Sequence, residues 1–88
     1  SGIGMTPSSI TGNCVAGTYP PITITNYGPS NAPWIAYSSD FSIRLTPDQG
    51  KLLAGQTQII TISGGTSNTG FQIGLFQGGS QTVTVTCG

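Results

Sequence analysis

Residues 71–87, FQIGLFQGGSQTVTVTC, contain the pattern that decides the fold. Apolar and polar side chains alternate on both sides of a glycine pair, so each half predicts a β-strand with one buried face. The residues predicted to face inward are Phe71, Ile73 and Leu75 in the first half and Val83, Val85 and Cys87 in the second. Gly78-Gly79-Ser80 between them is typical of a hairpin turn. The stretch therefore predicts two neighbouring antiparallel strands, at 70–77 and 81–87.

The same period of two continues through the rest of the chain. Ile22 and Ile24 alternate with threonines, and so do Ile60 and Ile62. Turn residues interrupt these runs so often that no segment has room for a helix of more than two turns. The predicted strands lie near residues 5–10, 14–18, 21–26, 34–38, 41–46, 56–63, 70–77 and 81–87. We therefore expect an all-β, immunoglobulin-like antiparallel β-sandwich of seven or eight short strands, with a small barrel as the alternative.

Size and charge limit the possible functions. A chain of 88 residues predicts a single domain over 1–88, because one this small buries only about 60–65 % of its unfolded surface. Four charged side chains and a net charge of zero argue against binding to nucleic acid or to anionic membranes. No apolar run reaches the roughly 18 residues of a membrane span. The chain begins at Ser1 without a signal peptide, so we expect a processed form or a piece of a longer protein.

The two cysteines, Cys14 and Cys87, lie near opposite ends of the chain. A metal or redox pair needs cysteines close in sequence, and no histidine is present to complete a zinc site. A disulfide fits better, since closing a loop of 73 residues (87 minus 14) gains roughly 4 kcal/mol on the chain-entropy model. Two buried free thiols are the alternative. The disulfide predicts an oxidising, extracellular or cell-surface location.

All four charged side chains fall within residues 40–51, DFSIRLTPDQGK. Read as a strand, this stretch carries Asp40, Ser42 and Arg44 on its outer face and Phe41, Ile43 and Leu45 on its inner face. Pro47-Asp48-Gln49-Gly50 is typical of a turn. The charges are thus predicted to form one solvated strand face and one turn.

Catalysis and metal binding have little chemical support in this composition. There is no histidine and no glutamate, so a serine nucleophile has no general base. Asp40 and Asp48, on opposite ends of an extended segment, are expected to lie well over roughly 20 Å apart, too far for a glycosidase pair. Two aspartates also make a weak calcium site, and a turn role for Asp48 is favoured. We predict no enzyme activity, no cofactor and no metal site.

Aromatic residues in the first half are the candidates for a sugar platform. They are Tyr19, Tyr27, Trp34 and Tyr37. Trp34 and Tyr37 are three residues apart, so a strand turns one ring inward and the other outward. The alternative is that Trp34 fills the core and the tyrosines line loops.

A shortage of charge at strand edges favours assembly over a free monomer. Edge strands are commonly protected by lysines and inward-pointing charges, and here charges occur only within 40–51. Ile3 and Met5 alternate at the start of the chain, which suggests a strand donated to a neighbour.

Several stretches resemble bacterial immunoglobulin-like modules. They are TPSSI (6–10), PITITNYG (21–28), the Pro33-Trp34 pair, SSDF (38–41), LTPDQGKLLAGQTQIITI (45–62) and NTGFQIGLFQGGSQTVTVT (68–86). Together they are similar to the BACON domain and to related modules of the Hydin and major-sperm-protein type. The chain departs from the BACON pattern at Cys87 and in lacking a charged residue before the penultimate strand.

The resemblance implies a spacer or interaction module in a larger surface or secreted protein, without a catalytic motif. Together with the composition, it predicts a structural or adhesive module of an extracellular, cell-surface, appendage or virion protein. Its expected partners are other protein domains, or copies of itself that assemble through strand edges. A carbohydrate-binding module is the alternative, with glycans as ligands.

Overall fold

The computed structural model describes residues 2–65, 67–76 and 80–88, with the backbone alone at residue 80. In these residues the chain forms nine β-strands and no helix. The strands are β1 Ile3–Thr6, β2 Ser9–Gly12, β3 Ile22–Asn26, β4 Ala32–Ser38, β5 Ile43–Thr46, β6 Gln49–Leu52, β7 Thr57–Gly64, β8 Phe71–Phe76 and β9 Ser80–Cys87.

The strands form two sheets that face each other. The first sheet has the order β1-β3-β7-β5, and the second has the order β2-β9-β8-β4-β6. Every neighbouring pair is antiparallel except β2 and β9, which run parallel. The predicted all-β, immunoglobulin-like sandwich is confirmed. The number of strands differs, because the predicted strand over 5–10 is divided into β1 and β2, β6 begins in a predicted turn, and the predicted strand at 14–18 does not form.

The core lies between the sheets and follows the predicted alternation. Ile22 and Ile24 of β3 and Ile60 of β7 are fully buried, opposite Ile73 of β8 and Val83 of β9. Their strand neighbours are mostly threonines and glutamines that face outward. Each buried aliphatic side chain contributes about 1.5–3 kcal/mol relative to exposure, so the period of two holds these strands in register.

Two Thr-Pro pairs mark the points where the chain crosses between sheets. β1 ends at Thr6 in the first sheet, and β2 begins two residues after Pro7 in the second. β5 ends at Thr46 in the first sheet, and β6 begins two residues after Pro47 in the second. Both Thr-Pro peptide bonds are cis. These two segments supply all four edge strands of the sandwich.

This crossing corrects two predictions. The predicted strand over 5–10 is two strands in different sheets, because alternation reveals a buried face but not the sheet to which it belongs. The predicted turn at 47–50 is only a brief crossing, since Gln49 already pairs with Ile35 of β4.

The predicted strand at 14–18 is also wrong. Asn13 and Thr18 exchange backbone hydrogen bonds in a tight turn, and the Asn13 side chain accepts a further bond from the Ala16 N–H at 3.0 Å. Gly17 has φ of 76°, a left-handed conformation that strands do not use. The predicted Gly78-Gly79-Ser80 turn includes residues outside the described part of the chain, although β8 and β9 pair as predicted.

The Cys14–Cys87 disulfide is confirmed. It joins the turn after β2 to the last residue of β9, with the two Cα atoms 5.4 Å apart. Cys14 is buried and Cys87 half-buried. The bridge therefore fastens an edge segment to the final strand, as the spacing predicts.

Candidate functional site

One lateral side of the sandwich, formed by β1, β2 and β9, is sealed by side chains and by the disulfide. Gln81 of β9 reaches the outward edge of β1, where its Oε1 accepts from the Met5 N–H at 3.3 Å. Its Nε2 donates to the Ile3 carbonyl. β1 also pairs with β3 of its own sheet, and the Ile3 and Met5 side chains are buried. We call this the sealed side.

The opposite lateral side carries an open groove of about 480 Å³. It runs between β5 at the edge of the first sheet and β4 of the second. Its apolar lining comes from Ala36, Tyr37, Phe41, Ile43 and Leu45. We call this the open side, and define it as β5, β6 and the part of β4 that faces them.

Three of the four charged side chains line the same groove: Asp40, Arg44 and Asp48. The two aspartates thus line one groove from either side of β5. Residues 40–42 form a turn, and the Asp48 carbonyl accepts from the Ala36 N–H at 2.8 Å, which draws the chain back onto β4.

Asp40 holds the turn that precedes β5. Its Oδ1 accepts from the Ser42 hydroxyl at 2.7 Å and from the Ser42 N–H at 2.9 Å. Its carbonyl accepts from the Ile43 N–H at 3.1 Å. The hydroxyl bond, followed by the amide bond, lowers the pKa of Asp40, because both favour the carboxylate.

Phe41 is a groove residue that the alternation pattern assigns wrongly to the core. Its side chain is fully exposed, at 102 % of the reference value, because residues 40–42 are a turn rather than the start of a strand. The serines and aspartate before it are typical turn formers, and they are the sequence signal for this placement. The predicted outer row of Asp40, Ser42 and Arg44 is broken for the same reason.

The four predicted sugar-binding aromatics do not share a surface. Trp34 is 3 % exposed and belongs to the core. Tyr19 packs edge-on against Phe71 with ring centroids 5.5 Å apart, and its hydroxyl donates to the Gly64 carbonyl at 2.8 Å. Burial, with a smaller effect of Asp40, raises the pKa of Tyr19.

The two remaining rings are exposed on opposite outer faces. The Tyr27 ring covers Gly4 of the first sheet, and the Tyr37 ring covers Gly74 of the second. The Tyr37 ring lies so close that a Cβ atom at Gly74 would require the ring to move. Of the four predicted residues, only Tyr37 lines the groove.

Large apolar side chains also lie together on the outer face of the second sheet. Ile35 of β4 is the direct cross-strand partner of Phe76 of β8, and Tyr37 follows two residues along the same face. Their exposed fractions are 52 % for Ile35, 61 % for Phe76 and 49 % for Tyr37. We call these three residues the apolar strip, which adjoins the groove at Tyr37.

Within residues 2–65, 67–76 and 80–88, no three acidic, cysteine or histidine side chains are grouped as metal ligands. The same residues contain no helix with the length and hydropathy to cross a membrane.

No family model matches the chain, and no curated protein does. Solved structures do match. WR4, a Caenorhabditis elegans member of the MSP (major sperm protein) family, covers 100 % of this chain and 99 % of its own, with a TM-score of 0.85 and 16 % identity. SSP-19, an MSP-domain-like protein of the same organism, covers 94 % and 96 %, with a TM-score of 0.76 and 13 % identity.

A chain of the CsuC–CsuE chaperone–tip adhesion subunit pre-assembly complex of Acinetobacter baumannii is also similar. The match covers 99 % of this chain and 56 % of that one, with a TM-score of 0.76 and 11 % identity. At such low identities the likeness establishes the fold alone. The fold is an immunoglobulin-like β-sandwich, similar to that of the MSP domains.

Proposed function

We propose that the chain is a non-catalytic structural or adhesive module of an extracellular, cell-surface, appendage or virion protein, and that it packs against other protein domains or copies of itself. The apolar strip carries this proposal. Ile35, Tyr37 and Phe76 adjoin on an outer sheet face, each about half exposed or more. Protein interfaces are enriched in such aromatic side chains and depleted of charge at their centres.

Two further observations support the setting. The Cys14–Cys87 bridge fits an oxidising compartment, where disulfides form and persist. One similar structure is a complex of a chaperone with an adhesion subunit, in which this fold class meets another protein. The BACON and Hydin resemblance remains a prediction that agrees with a module of this kind.

A sedimentation-velocity concentration series tests the proposal. The variant Ile35→Thr/Tyr37→Thr/Phe76→Thr keeps strand-forming side chains on the outer face and should still fold. We expect the native sequence to associate reversibly and this variant to remain monomeric. The matched control, Tyr27→Thr/Ile59→Thr, removes exposed apolar side chains from the first sheet and should associate like the native chain. Monomeric behaviour of all three proteins at every concentration would contradict assembly through the apolar strip.

Carbohydrate binding is the second candidate, supported by one observation. Tyr37 and Phe41 line the same groove as Asp40 and Asp48, so two aromatic residues lie beside hydrogen-bond acceptors. A glycan array comparing the native chain with Tyr37→Ala/Phe41→Ala tests it. Trp34→Ala is unsuitable for this purpose, because truncating a buried tryptophan costs about 3–5 kcal/mol and endangers the fold.

A further inference from the structure

The hydrogen-bonding phase of the first sheet leaves one edge of β5 unpaired. The Asn26 N–H donates to the Gln56 carbonyl, so these two residues form a hydrogen-bonded pair in the β3–β7 register. In an antiparallel ladder such pairs recur at every second residue, so the even-numbered residues of β7 direct their backbone N–H and C=O groups toward β3. The odd-numbered residues 61 and 63 therefore face β5, opposite Thr46 and Arg44. The bond from the Gly65 N–H to the Ser42 carbonyl agrees with this, because Gly65 is also odd-numbered and lies opposite Ser42 when the β5–β7 register is continued.

Ile43 and Leu45 consequently direct their backbone polar groups away from β7. The Ile43 N–H is bonded to the Asp40 carbonyl. In the described part of the chain, no hydrogen bond engages the Ile43 carbonyl or either backbone group of Leu45. On the sealed side the equivalent groups of Ile3 and Met5 are met by Gln81. The open side thus presents one backbone donor, the Leu45 N–H, and two acceptors, the carbonyls of Ile43 and Leu45, at strand spacing.

The groove lies directly beside this unpaired edge. Ile43 and Leu45 of β5 and Ala36 of β4 contribute to its apolar lining, while Phe41 and Tyr37 stand at its wall. An extended chain placed along β5 directs every second side chain to the inner face of the sheet, where the groove is. The backbone edge and the apolar cavity therefore suit the same ligand, an extended polypeptide segment.

Charge at the groove favours a basic residue on that segment. Two carboxylates, Asp40 and Asp48, line the groove against one guanidinium, Arg44. The described residues show no ion pair among them, and both bonds to the Asp40 side chain are made to Oδ1. A lysine or arginine beside the entering apolar side chain would meet this acidic excess.

A second copy of β5 is a poor occupant. Two-fold antiparallel pairing centred on Arg44 places two guanidinium groups opposite each other. Pairing centred on Leu45 places Pro47, which has no N–H, opposite Ile43. Pairing centred on Ile43 needs an N–H that the Asp40 carbonyl already occupies.

We propose that β5 and the adjoining groove form a strand-addition site for an extended segment of a partner polypeptide, which inserts an aliphatic or aromatic side chain into the groove and places a lysine or arginine near Asp40 or Asp48. This rests on the proposed function in one respect, that the chain is a protein-binding module. The strand-addition site lies on the open side, whereas the proposed function rests on the apolar strip.

The probe is a set of short blocked peptides that alternate threonine with variable positions. The central variable residue is isoleucine, phenylalanine or glutamine, and the flanking variable residues are lysine or glutamate. We expect peptides with a central isoleucine or phenylalanine and flanking lysines to bind the native chain. Amide NMR shifts should concentrate on β5, and exchange of the Leu45 N–H should slow.

Two variants separate strand addition from simple contact. Leu45 also lines the groove, so Leu45→Ala, which keeps the N–H, is the reference variant. Relative to it, Leu45→Pro removes the outward N–H without removing a bond to β7, and proline is tolerated at such an edge position. It should weaken binding about tenfold, the value of roughly one hydrogen bond. Asp48→Lys should reverse the preference from lysine-flanked to glutamate-flanked peptides. Lys51→Glu, a matched charge reversal at a residue outside the groove lining, should leave the preference unchanged.

Several outcomes overturn the inference. Equal binding to native and Leu45→Pro chains, or peptide shifts on β1, β2 or the apolar strip, place the contact elsewhere. If exchange of the Leu45 N–H slows only when the chain associates with itself, and not when peptide is added, the β5 edge binds a second copy of the chain. If no peptide binds while the native chain still associates through Ile35, Tyr37 and Phe76, strand addition fails and the proposed function stands. If association through those residues is also absent, both fail.

Discussion

β1–β2 and β5–β6 each pass from an edge of the first sheet to an edge of the second, and a Thr-Pro pair marks the crossing in both. On the sealed side Gln81 occupies the outward groups of β1, and a disulfide holds the turn after β2 to β9. On the open side a groove remains, and the four charged residues lie on or beside β5 and β6. Two similar crossings thus have their edges protected differently, one by bonding and the other by charge.

The largest expected effect comes from breaking the covalent part of the sealed side. Cys14→Ser/Cys87→Ser should lower the free energy of unfolding by roughly 4 kcal/mol, since the unfolded chain regains the freedom of a 73-residue loop. Urea denaturation of the oxidised native chain and of the variant measures the difference. The native chain in reductant should match the variant. Equal stability of all three would mean that the bridge does not hold this side.

The next effect tests the hydrogen-bonded part of the sealed side. Gln81→Ala leaves the Met5 N–H and the Ile3 carbonyl without the Gln81 amide, and should cost about 1–2 kcal/mol. Hydrogen exchange at Met5 should accelerate with it. Gln72→Ala removes an exposed glutamine from the adjacent strand and serves as the control. If both variants behave alike, Gln81 does not seal β1.

A smaller effect on stability, with a clear effect on solubility, is expected at the open side. Arg44→Thr/Lys51→Thr should change the free energy of unfolding by less than about 0.5 kcal/mol, because both side chains are exposed. Light scattering should nevertheless show faster aggregation, since the edge strands lose their charges. The net charge moves from 0 to −2, which by itself favours solubility. Unchanged or slower aggregation would argue that these charges do not protect the edge.

The smallest effect concerns the turn that begins the open side. The folded pKa of Asp40 is lowered by Ser42, so its contribution to stability is present above the unfolded pKa of about 4. It is lost as the pH falls through the lower folded value. The difference in stability between the native chain and Asp40→Ala should therefore be present at neutral pH and disappear in strong acid. Ser42→Ala should reduce this pH dependence, and an unaltered dependence would contradict the assigned cause.

The sequence predicts the centre of this fold better than its edges. Ile24, Ile60 and Ile73 belong to strands with neighbours on both sides, where only one face can be buried and alternation leaves no choice. At the edges the buried positions change from odd numbers, Ile3 and Met5, to an even number, Ile10, across Thr6–Pro7. This change of phase indicates an interruption of the strand, but both halves bury their apolar residues into one core. The pattern therefore cannot show that the chain has changed sheets.

The sequence predicts little of the candidate site, because alternation does not reveal which strands lie side by side. Phe41 continues an alternating run, and only the Asp40 turn places it outside. Trp34 and Tyr37 were predicted to face in opposite directions, and they do, but the pattern could not tell that Tyr37 adjoins a groove. The groove depends on Asp48 returning to β4, a contact between strands that local sequence does not encode.

The disulfide also determines how the chain responds to tension. Because Cys14 is bonded to Cys87, residues 14–87 form a closed covalent loop that a pull on the two ends cannot unravel. Only residues 2–13 and 88 lie outside that loop among those described, and fully extended they add roughly 45 Å. A pulling force is carried from Gly88 through the bridge to β2 and β1, so it does not lengthen the chain inside the loop. Reduction of one bond would convert a nearly inextensible link into a chain that can lengthen along its whole contour.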